Sequence, residues 1–337
     1  MRARRRPLGA RYTEDVLLAR IRRALGAPRP ASSRLTLAMG DDAAIFRPRP
    51  GYETLLTCDW FLEGTHFLLD RHPPHSVGWK CLARATSDLA AMGAKPCCFL
   101  LSIALSPAHA DSWLDEFLRG LRSAAYRLHC PAAGGDTTRS RRLRISVTAI
   151  GECRRGRAVE RTGARPGDAI FVSGHLGEAE LGLRLIRAGK RPVDARDRRL
   201  RKHLYPEPRI ELGAWLASNR LATAMMDLSD GLSSDLPRLC EASGVGARIA
   251  ARQIPGPRLS GENAQKFDGL SLALDGGDDY ELLFTVSPRK ISQIPPRIGR
   301  VSLTPIGQVV GEKGVFVNTG GQQEIVLAKK GWDPFRR

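Results

Sequence analysis

Aspartates that lie within two residues of glycine, serine or threonine recur in six short segments of the chain. They are Asp41 and Asp42, Asp59, Asp88, Asp136, Asp227 and Asp230, and Asp278 and Asp279. Any one segment is also explained by a helix cap or a turn, because aspartate is favoured in both. Six segments, supplied by both halves of a chain whose net charge is +18, favour a cluster of carboxylates that binds hard cations such as Mg²⁺.

Two of these segments also contain paired glycines, which indicate that phosphate is the anion bound there. Gly134 and Gly135 precede one aspartate, and Gly276 and Gly277 precede another. Glycine lets backbone N–H groups approach phosphate oxygens, and the helix that begins near Asp230 can turn its positive end toward the same group. Phosphoryl transfer needs little covalent chemistry from a protein, since metal ions and arginine neutralise the charge. The pattern therefore favours phosphoryl transfer.

The sequence lacks the signatures of the common nucleotide-binding folds. It has no G-x-x-x-x-G-K-[ST] segment, since Gly189-Lys190 is followed by Arg191, and no kinase-type glycine loop or H-R-D. It also has no G-x-S-x-G and no H-E-x-x-H. Neither a P-loop fold nor a protein-kinase fold is supported.

Strands and amphipathic helices alternate along the chain, which predicts an α/β fold. The predicted strands span 35–39, 54–58, 143–149, 169–172, 222–226 and 280–286. The predicted helices run from a cap at Ser76 to Gly93 and over 113–128, 178–188, 208–219 and 232–244. Asp88 lies beside the apolar stripe of the first helix, so its carboxylate needs a cation or hydrogen-bond donors. The turn-rich stretch 151–168 predicts a domain boundary.

Length and composition are those of a globular protein with two domains. The chain has 337 residues, of which 42% are hydrophobic, 26% charged and 6% aromatic, and a domain usually has about 150 residues. No apolar run approaches the ~20 residues of a membrane span, and the N-terminus lacks the apolar stretch of a signal peptide. Seven cysteines without a C-x-x-C pair indicate neither a disulfide framework nor a zinc site. We therefore expect a cytoplasmic protein with reduced thiols and no membrane partner.

The chain has 53 basic and 35 acidic residues. Nucleic-acid binding is therefore a second possible function, because a basic protein can bind nucleic acid. Part of the excess lies in the Arg-rich segment 1–11, which we expect to be disordered. Aromatic residues are not interleaved with the arginines as single-strand binding requires. Net charge by itself says little about fold or a specific partner. We therefore do not expect nucleic acid to be the main partner.

Eight segments follow one another, from about residue 12 to the end of the chain, in the order of a known family. They are MGDDAAIF (39–46), LLTCDWFLEGTHF (55–67), ATSDLAAMGAKP (85–96), GGDTTR (134–139), RTGARPGD (161–168), MDLSDGLSSDL (226–236), GGDDYELLF (276–284) and GWDPF (331–335). In these segments the chain resembles thiamine-monophosphate kinase, of the superfamily that includes aminoimidazole ribonucleotide synthetase and selenophosphate synthetase. Eight ordered segments do not arise from composition.

The resemblance implies a two-domain α/β fold of the aminoimidazole ribonucleotide synthetase type. Residues 12–155 would form an N-terminal domain that binds ATP and Mg²⁺ and whose sheet pairs with a second copy in a homodimer. Residues 156–337 would form a C-terminal α/β domain that completes the active site. The implied reaction converts ATP and thiamine monophosphate into ADP and thiamine diphosphate with several Mg²⁺ ions. The acceptor is an ionised phosphate monoester, so in-line transfer needs no general base.

The family motifs also assign roles to individual residues. The implied metal ligands are Asp42, Thr57, Cys58 through its backbone carbonyl, Asp59, Asp88, Asp136, Asp227 and Asp230. The implied ATP-binding residues are Gly135, Asp136, Arg161 and Ser229, and those that contact the thiamine phosphate are His66, Asp278 and Trp332. Among the aspartates, we expect Asp88, Asp136 and Asp230 to be the most critical.

Two positions depart from the family, and three assignments keep a structural alternative. Asp278 stands where the family usually has glutamate, which shortens its reach to the acceptor, and Cys58 stands where it usually has threonine. Trp332 could instead pack a C-terminal segment, His66 could be a half-buried imidazole, and Arg161 could be one more surface arginine.

Three further aspartates are given no direct role in the site, and a different acceptor substrate remains an alternative. Asp41, Asp235 and Asp279 are interpreted as turn, cap or supporting residues. The alternative for the whole chain keeps the fold and changes the acceptor, as in aminoimidazole ribonucleotide or selenophosphate synthesis. The closing GWDPF segment favours thiamine monophosphate.

Overall fold

The computed structural model describes residues 13–26, 34–190, 198–320 and 324–335. The Arg-rich segment 1–11, which was predicted to be disordered, lies outside the described residues. In the described part of the chain, no helix is both long and apolar enough to cross a membrane.

The chain folds into two compact units. The first unit comprises the residues up to Ala85 together with Pro96–Glu152, and the second comprises Thr86–Lys95 together with the residues from Cys153 onward. The division falls inside one long helix, so a short piece of the N-terminal half of the sequence belongs to the second unit.

Strands β3 to β6 of the first unit form a four-stranded sheet in the order β3-β6-β4-β5, with β4 and β5 parallel. The helices that begin in this unit are α1 (Glu14–Leu25), α2 (Pro74–Ala91) and α3 (Ser112–Arg127). The strands are β1 (Leu35–Leu37), β2 (Ile45–Phe46), β3 (Tyr52–Leu62), β4 (Lys95–Leu105), β5 (Ala132–Arg139) and β6 (Arg144–Arg154). This order makes β3 an edge strand.

Helix α3 shows why the apolar periodicity produces this packing. Leu114, Phe117 and Leu121 recur at intervals of three and four residues, and all three are buried. Arg20 of α1 donates to Asp115 at the start of α3 (2.7 Å), and α1 also contacts β5. Helix α1 is thereby fixed beside the strand that carries the Gly-Gly-Asp segment.

The second unit is built on one large sheet with the order β14-β13-β9-β12-β7-β10-β8, and β11 pairs with β12. Its strands are β7 (Ala169–Ser173), β8 (Ala222–Leu228), β9 (Gly246–Ala250), β10 (Glu281–Val286), β11 (Arg297–Ile298), β12 (Val301–Val310), β13 (Gly314–Asn318) and β14 (Glu324–Val326). Its helices are α4 (Glu178–Arg187), α5 (Arg198–Leu204), α6 (Ile210–Ser218), α7 (Leu232–Ser243), α8 (Glu262–Lys266) and α9 (Gly269–Asp275).

Strand β10 lies inside this sheet and is buried along its whole length. It is antiparallel to both β7 and β8, with Leu283 opposite Val172 and Met226. A strand buried on both faces reads as a continuous apolar run, and the sequence Leu-Leu-Phe in β10 fits that rule.

Several boundaries differ from the sequence prediction. The strand predicted at 143–149 extends over Arg144–Arg154, so the turn-rich stretch predicted at 151–168 begins inside β6. The strand predicted at 54–58 extends over Tyr52–Leu62. The predicted cap at Ser76 is wrong, because α2 begins at Pro74 and the Ser76 hydroxyl donates to the carbonyl of Pro73 (2.7 Å). Proline is favoured in the first turn of a helix, since its φ is already helical and its missing N–H would have no partner there.

Candidate functional site

The Asp-Leu-Ser-Asp-Gly segment and the Gly-Gly-Asp-Asp segment meet in the second unit. Strands β8 and β10 are antiparallel, so the end of β8 adjoins the start of β10, with Leu228 opposite Glu281. The N–H of Asp278 donates to the carbonyl of Ser229 (2.8 Å), and that of Tyr280 donates to the carbonyl of Leu228 (2.9 Å). The fold therefore brings the candidate ATP-binding Ser229 beside the candidate acceptor-binding Asp278.

Trp332 joins the same group. Its N–H donates to the carbonyl of Asp230 (2.8 Å), and the preceding Gly331 lies so close to this carbonyl that a Cβ would be 2.2 Å from the oxygen. The Trp332 side chain is partly exposed. This backbone contact places Trp332 next to the Asp-Leu-Ser-Asp-Gly segment, and its role in binding the thiamine phosphate stays a prediction.

A hydrogen bond from Ser87, the residue before Asp88, links helix α2 to Asp227. Asp227 is buried and accepts a hydrogen bond from the Ser87 hydroxyl (2.8 Å). Ser87 precedes Asp88 in the last turns of α2, which belong to the second unit. The Asp88 carboxylate is half-buried, at the position where the sequence predicted a need for a cation or donors.

Asp235 supports the loop that carries Ser229 and Asp230. Its buried carboxylate oxygen accepts the N–H groups of Ser229, Asp230 and Gly231 at 3.1, 3.0 and 3.1 Å. Burial raises the pKa of Asp235 to about 7, and the charge of Asp230 adds to the effect. The residue was interpreted from sequence only as a turn, cap or supporting residue, because nothing in the sequence shows which backbone groups it reaches.

Two arginines lie against candidate metal ligands, and sequence reasoning identified neither. Arg238 donates to Asp230 (2.5 Å) and to Asp235 (2.8 Å). In the first unit, the Arg84 side chain forms an ion pair with Asp59 (3.3 Å). Arg84 lies in α2 one turn before Asp88, a spacing that places both side chains on one helix face.

The other Gly-Asp segments line a cavity of about 670 Å³ in the first unit. Asp42, Gly135 and Asp136 line one part of it, and apolar side chains of α1 and β1, among them Ile21 and Leu35, line another. Gly135 has a φ of +153°, and a Cβ there would be 1.7 Å from the carbonyl oxygen of Leu101 on β4. This position therefore admits only glycine, because of the adjacent strand.

Thr137, next to Asp136, is among the residues that line the cavity. Its hydroxyl oxygen is buried and has no hydrogen-bond partner among the described residues. Buried polar groups are normally paired, so the Thr137 hydroxyl is an exception beside this cavity.

The remaining candidates of the first unit lie on and beside the edge strand β3. Side chains alternate between two faces of a strand, so Thr57 and Asp59 share one face and the exposed Cys58 lies on the other. The Cys58 thiol is 3.4 Å from the Ser146 hydroxyl. His66 is half-buried, accepts the N–H of Leu62 through Nδ1 (3.0 Å) and stacks on a phenylalanine.

Arg161 lies in the second unit and is exposed. Its backbone carbonyl accepts a hydrogen bond from Ser243 (2.8 Å). This contact orders the backbone at Arg161 and does not decide between the ATP-binding role and the alternative of a surface arginine.

The donor chemistry of these residues fits Mg²⁺ in combination with phosphates. Within the four described ranges, no three His, Cys, Asp or Glu side chains converge closely enough to hold a metal ion. Mg²⁺ prefers oxygen ligands and is usually held by one or two carboxylates together with substrate phosphates and water. Separate carboxylates such as Asp136 and Asp227 suit that mode, whereas a cage made only of protein ligands is not formed by the described side chains.

Comparison with known proteins identifies the family. Residues 40–153 match the AIR synthase related protein N-terminal domain, and residues 165–318 match the corresponding C-terminal domain. The thiamine-monophosphate kinase of Escherichia coli K12 is 36% identical over 315 residues, which cover 91% of this chain and 95% of that protein.

Solved structures agree with this result. The crystal structure of thiamine-monophosphate kinase from Stenotrophomonas maltophilia K279a matches with a TM-score of 0.78 and 35% identity, covering 90% of this chain and 96% of that one. The structure of AaThiL complexed with AMPPCP and TMP matches with a TM-score of 0.73 and 31% identity, covering 96% and 99%. The two-domain α/β fold expected from sequence is confirmed, as is the family resemblance. The chain belongs to the thiamine-monophosphate kinase family of enzymes.

Proposed function

We propose that this chain transfers the γ-phosphoryl group of ATP to the phosphate of thiamine monophosphate, giving thiamine diphosphate and ADP. The observation that carries the proposal is the meeting of Ser229, Asp230, Asp278 and Trp332 on one face of the second unit. These residues include candidates for both substrates. The AaThiL complex, which holds AMPPCP and TMP together, supports the same pair of substrates here.

The cavity of the first unit is the proposed place for part of the ATP molecule. Gly135 and Asp136 lie beside its polar part. The apolar side chains of α1 suit a nucleobase, since ligand pockets combine an apolar lining with a few polar groups. Arg161 and Ser229 are proposed to bind the phosphates of ATP.

The proposed transfer step is a direct in-line displacement. An oxygen of the acceptor phosphate forms a bond to the γ-phosphorus of ATP while the bond from that phosphorus to the β–γ bridging oxygen breaks, and ADP leaves with the electron pair. The acceptor oxygen is already ionised near neutral pH, so no side chain has to remove a proton. Each substrate is anionic, and neutralisation of their repulsion is the main task of the site.

Mg²⁺, when bound, supplies most of this neutralisation. The residues proposed to hold it are the carboxylates of Asp42, Asp59, Asp88, Asp136, Asp227 and Asp230, with Thr57 and the Cys58 carbonyl. Their oxygen donors fit the ion, and the substrate phosphates would complete its coordination. His66, Asp278 and Trp332 are proposed to contact the thiamine part, where an indole beside a cationic ring contributes about 0.5–2 kcal/mol.

A homodimer formed through β3 is part of the proposal. Leu56 and Trp60 are exposed on this edge strand, at 71% and 57% of their accessible area. Exposed apolar side chains on an unpaired edge are suited to pairing with another sheet. We expect Trp60→Asp to convert the protein into a monomer in sedimentation velocity, while Tyr126→Asp, a change at another exposed aromatic residue, leaves the dimer intact. A wild-type protein that sediments as a monomer at all concentrations would contradict this part of the proposal.

The direct test is the conversion of thiamine monophosphate. Purified protein is mixed with ATP, MgCl₂ and thiamine monophosphate, and thiamine diphosphate is followed by chromatography. Free thiamine replaces the monophosphate in one control, and EDTA is added in another. We expect product only from the monophosphate and none with EDTA. A folded protein that binds ATP but gives no product would indicate another acceptor within the superfamily.

A further inference from the structure

The turn that carries Asp278 has an unusual backbone. Asp278 and Tyr280 adopt left-handed conformations, with φ of +66° and +51°. A positive φ is uncommon for residues other than glycine, and for a large aromatic side chain it is a genuine outlier. Conformations of this kind persist only where the surrounding structure holds them, and they concentrate at functional sites.

Several buried contacts hold this turn in place. Asp279, between the two left-handed residues, accepts the N–H groups of Gly177 (2.5 Å) and Ala179 (3.1 Å) at the start of α4. Glu281 follows directly, and its buried carboxylate accepts from Lys202 (2.5 Å). Anchors on both sides of Tyr280 therefore fix its backbone.

The Tyr280 side chain returns toward Asp278. The tyrosine is almost completely buried, and its hydroxyl donates to Oδ1 of Asp278 (2.7 Å). The other carboxylate oxygen, Oδ2, faces the buried His203 with 4.0 Å between it and Nδ1. The tyrosine thus fixes one oxygen of a carboxylate that is about a quarter exposed, at 27%.

We propose that Tyr280 is a positioning residue for the acceptor, which holds the Asp278 carboxylate in the orientation that contacts the thiamine part of thiamine monophosphate. The inference rests on the proposed function. The short aspartate side chain has one torsion fewer than glutamate, and a hydrogen bond from a rigid, buried phenol restricts it further. A preorganised carboxylate loses less freedom on binding, so the benefit is realised in acceptor affinity.

The test is the variant Tyr280→Phe, which removes one hydroxyl and keeps the buried ring. We expect KM for thiamine monophosphate to rise by about tenfold, because the hydrogen bond is made to a charged group. KM for ATP and kcat should stay at wild-type values. Tyr126→Phe removes a hydroxyl from an exposed tyrosine and is the matched control, with no expected change in any of these quantities.

A double-mutant cycle separates positioning from a structural role. If Tyr280 acts through Asp278, then Tyr280→Phe has no further effect on KM in an Asp278→Ala background, which has no side-chain acceptor for the tyrosine hydroxyl. Equal effects of Tyr280→Phe in the two backgrounds, or an unchanged KM in the single variant, would overturn the positioning role while the wild-type activity stands. Absence of thiamine diphosphate with the wild-type protein would overturn the proposed function and this inference together.

Discussion

In the second unit, Asp227, Asp235 and Glu281 are buried and accept hydrogen bonds from side chains or backbone of the protein, whereas in the first unit Asp42 and Asp136 are exposed at the lining of a cavity. The second unit therefore uses its carboxylates to build the scaffold as well as the candidate site. In the first unit these carboxylates can be changed at little cost to the fold. Substitution of an exposed carboxylate in the first unit is therefore expected to change activity alone, whereas substitution of a buried one in the second unit is expected to change stability as well.

The largest expected effect tests this separation directly. We expect Asp136→Asn and Asp227→Asn each to lower kcat/KM by about 10²–10³-fold, since each removes a charge from a site that must neutralise phosphates. Only Asp227→Asn should also lower the thermal midpoint, because it alters the buried contact with Ser87. Steady-state kinetics and calorimetry of both variants provide the check, and equal loss of stability would contradict the comparison.

Two buried glutamates extend the comparison to ion pairs. Glu281 accepts from both Lys202 and Arg209, whose side chains are largely buried, while Glu152 of the first unit pairs with the more exposed Arg49. We expect Glu281→Gln to cost about 3 kcal/mol, since it leaves buried cations without a counter-charge. Glu152→Gln should cost about 1 kcal/mol, because Arg49 remains hydrated. Urea unfolding measures both, and a larger cost for Glu152→Gln would reverse the order.

The pH dependence of Glu281 gives a third test. Burial raises the pKa of this carboxyl, but the charges of Lys202 and Arg209 outweigh it and lower the pKa to about 2. A folded-state pKa below the unfolded value, about 4.5, gives stability that is present above the unfolded value and lost as pH falls toward 2. The stability difference between wild type and Glu281→Gln should therefore shrink from pH 5 to pH 2, as followed by urea unfolding. A stability difference that stays constant from pH 5 to pH 2 would contradict the lowered pKa of Glu281.

The smallest expected effects concern helix caps. Thr13 caps α1 through one long contact with the N–H of Val16 (3.4 Å), whereas Asp268 caps α9 through two contacts, with Leu270 (3.0 Å) and Ser271 (3.2 Å). We expect Asp268→Ala to cost about 1 kcal/mol and Thr13→Ala about 0.5 kcal/mol. Calorimetry of the two variants measures the difference, and a greater cost at Thr13 would be the contrary result.

The sequence predicted the elements better than it predicted their contacts. Periodic apolar residues were sufficient for α3, α7 and β10, because burial of one face or of a whole strand leaves a local pattern. The cap at Ser76 was wrong because the proline at position 74 already starts the helix. The aspartate segments were found from residue types and neighbours, the individual roles came from family motifs, and those roles remain predictions.

The supporting residues could not be predicted, because their partners are distant in sequence or are backbone groups. Asp235 reads as an ordinary helix-start aspartate, and only the fold shows three N–H groups directed at one of its oxygens. Glu281 lies in an apolar run, and its partners Lys202 and Arg209 are supplied by another part of the chain. A hydrogen bond between adjacent loops leaves no periodicity in the sequence.

The absence of space at Gly135 has a practical consequence for engineering the cavity of the first unit. Since any side chain would collide with the carbonyl of Leu101, a library randomised at this codon would yield almost only misfolded clones apart from those that retain glycine. Screening effort is better placed on the apolar residues Ile21 and Leu35, which line the same cavity and are not part of the pairing between β4 and β5.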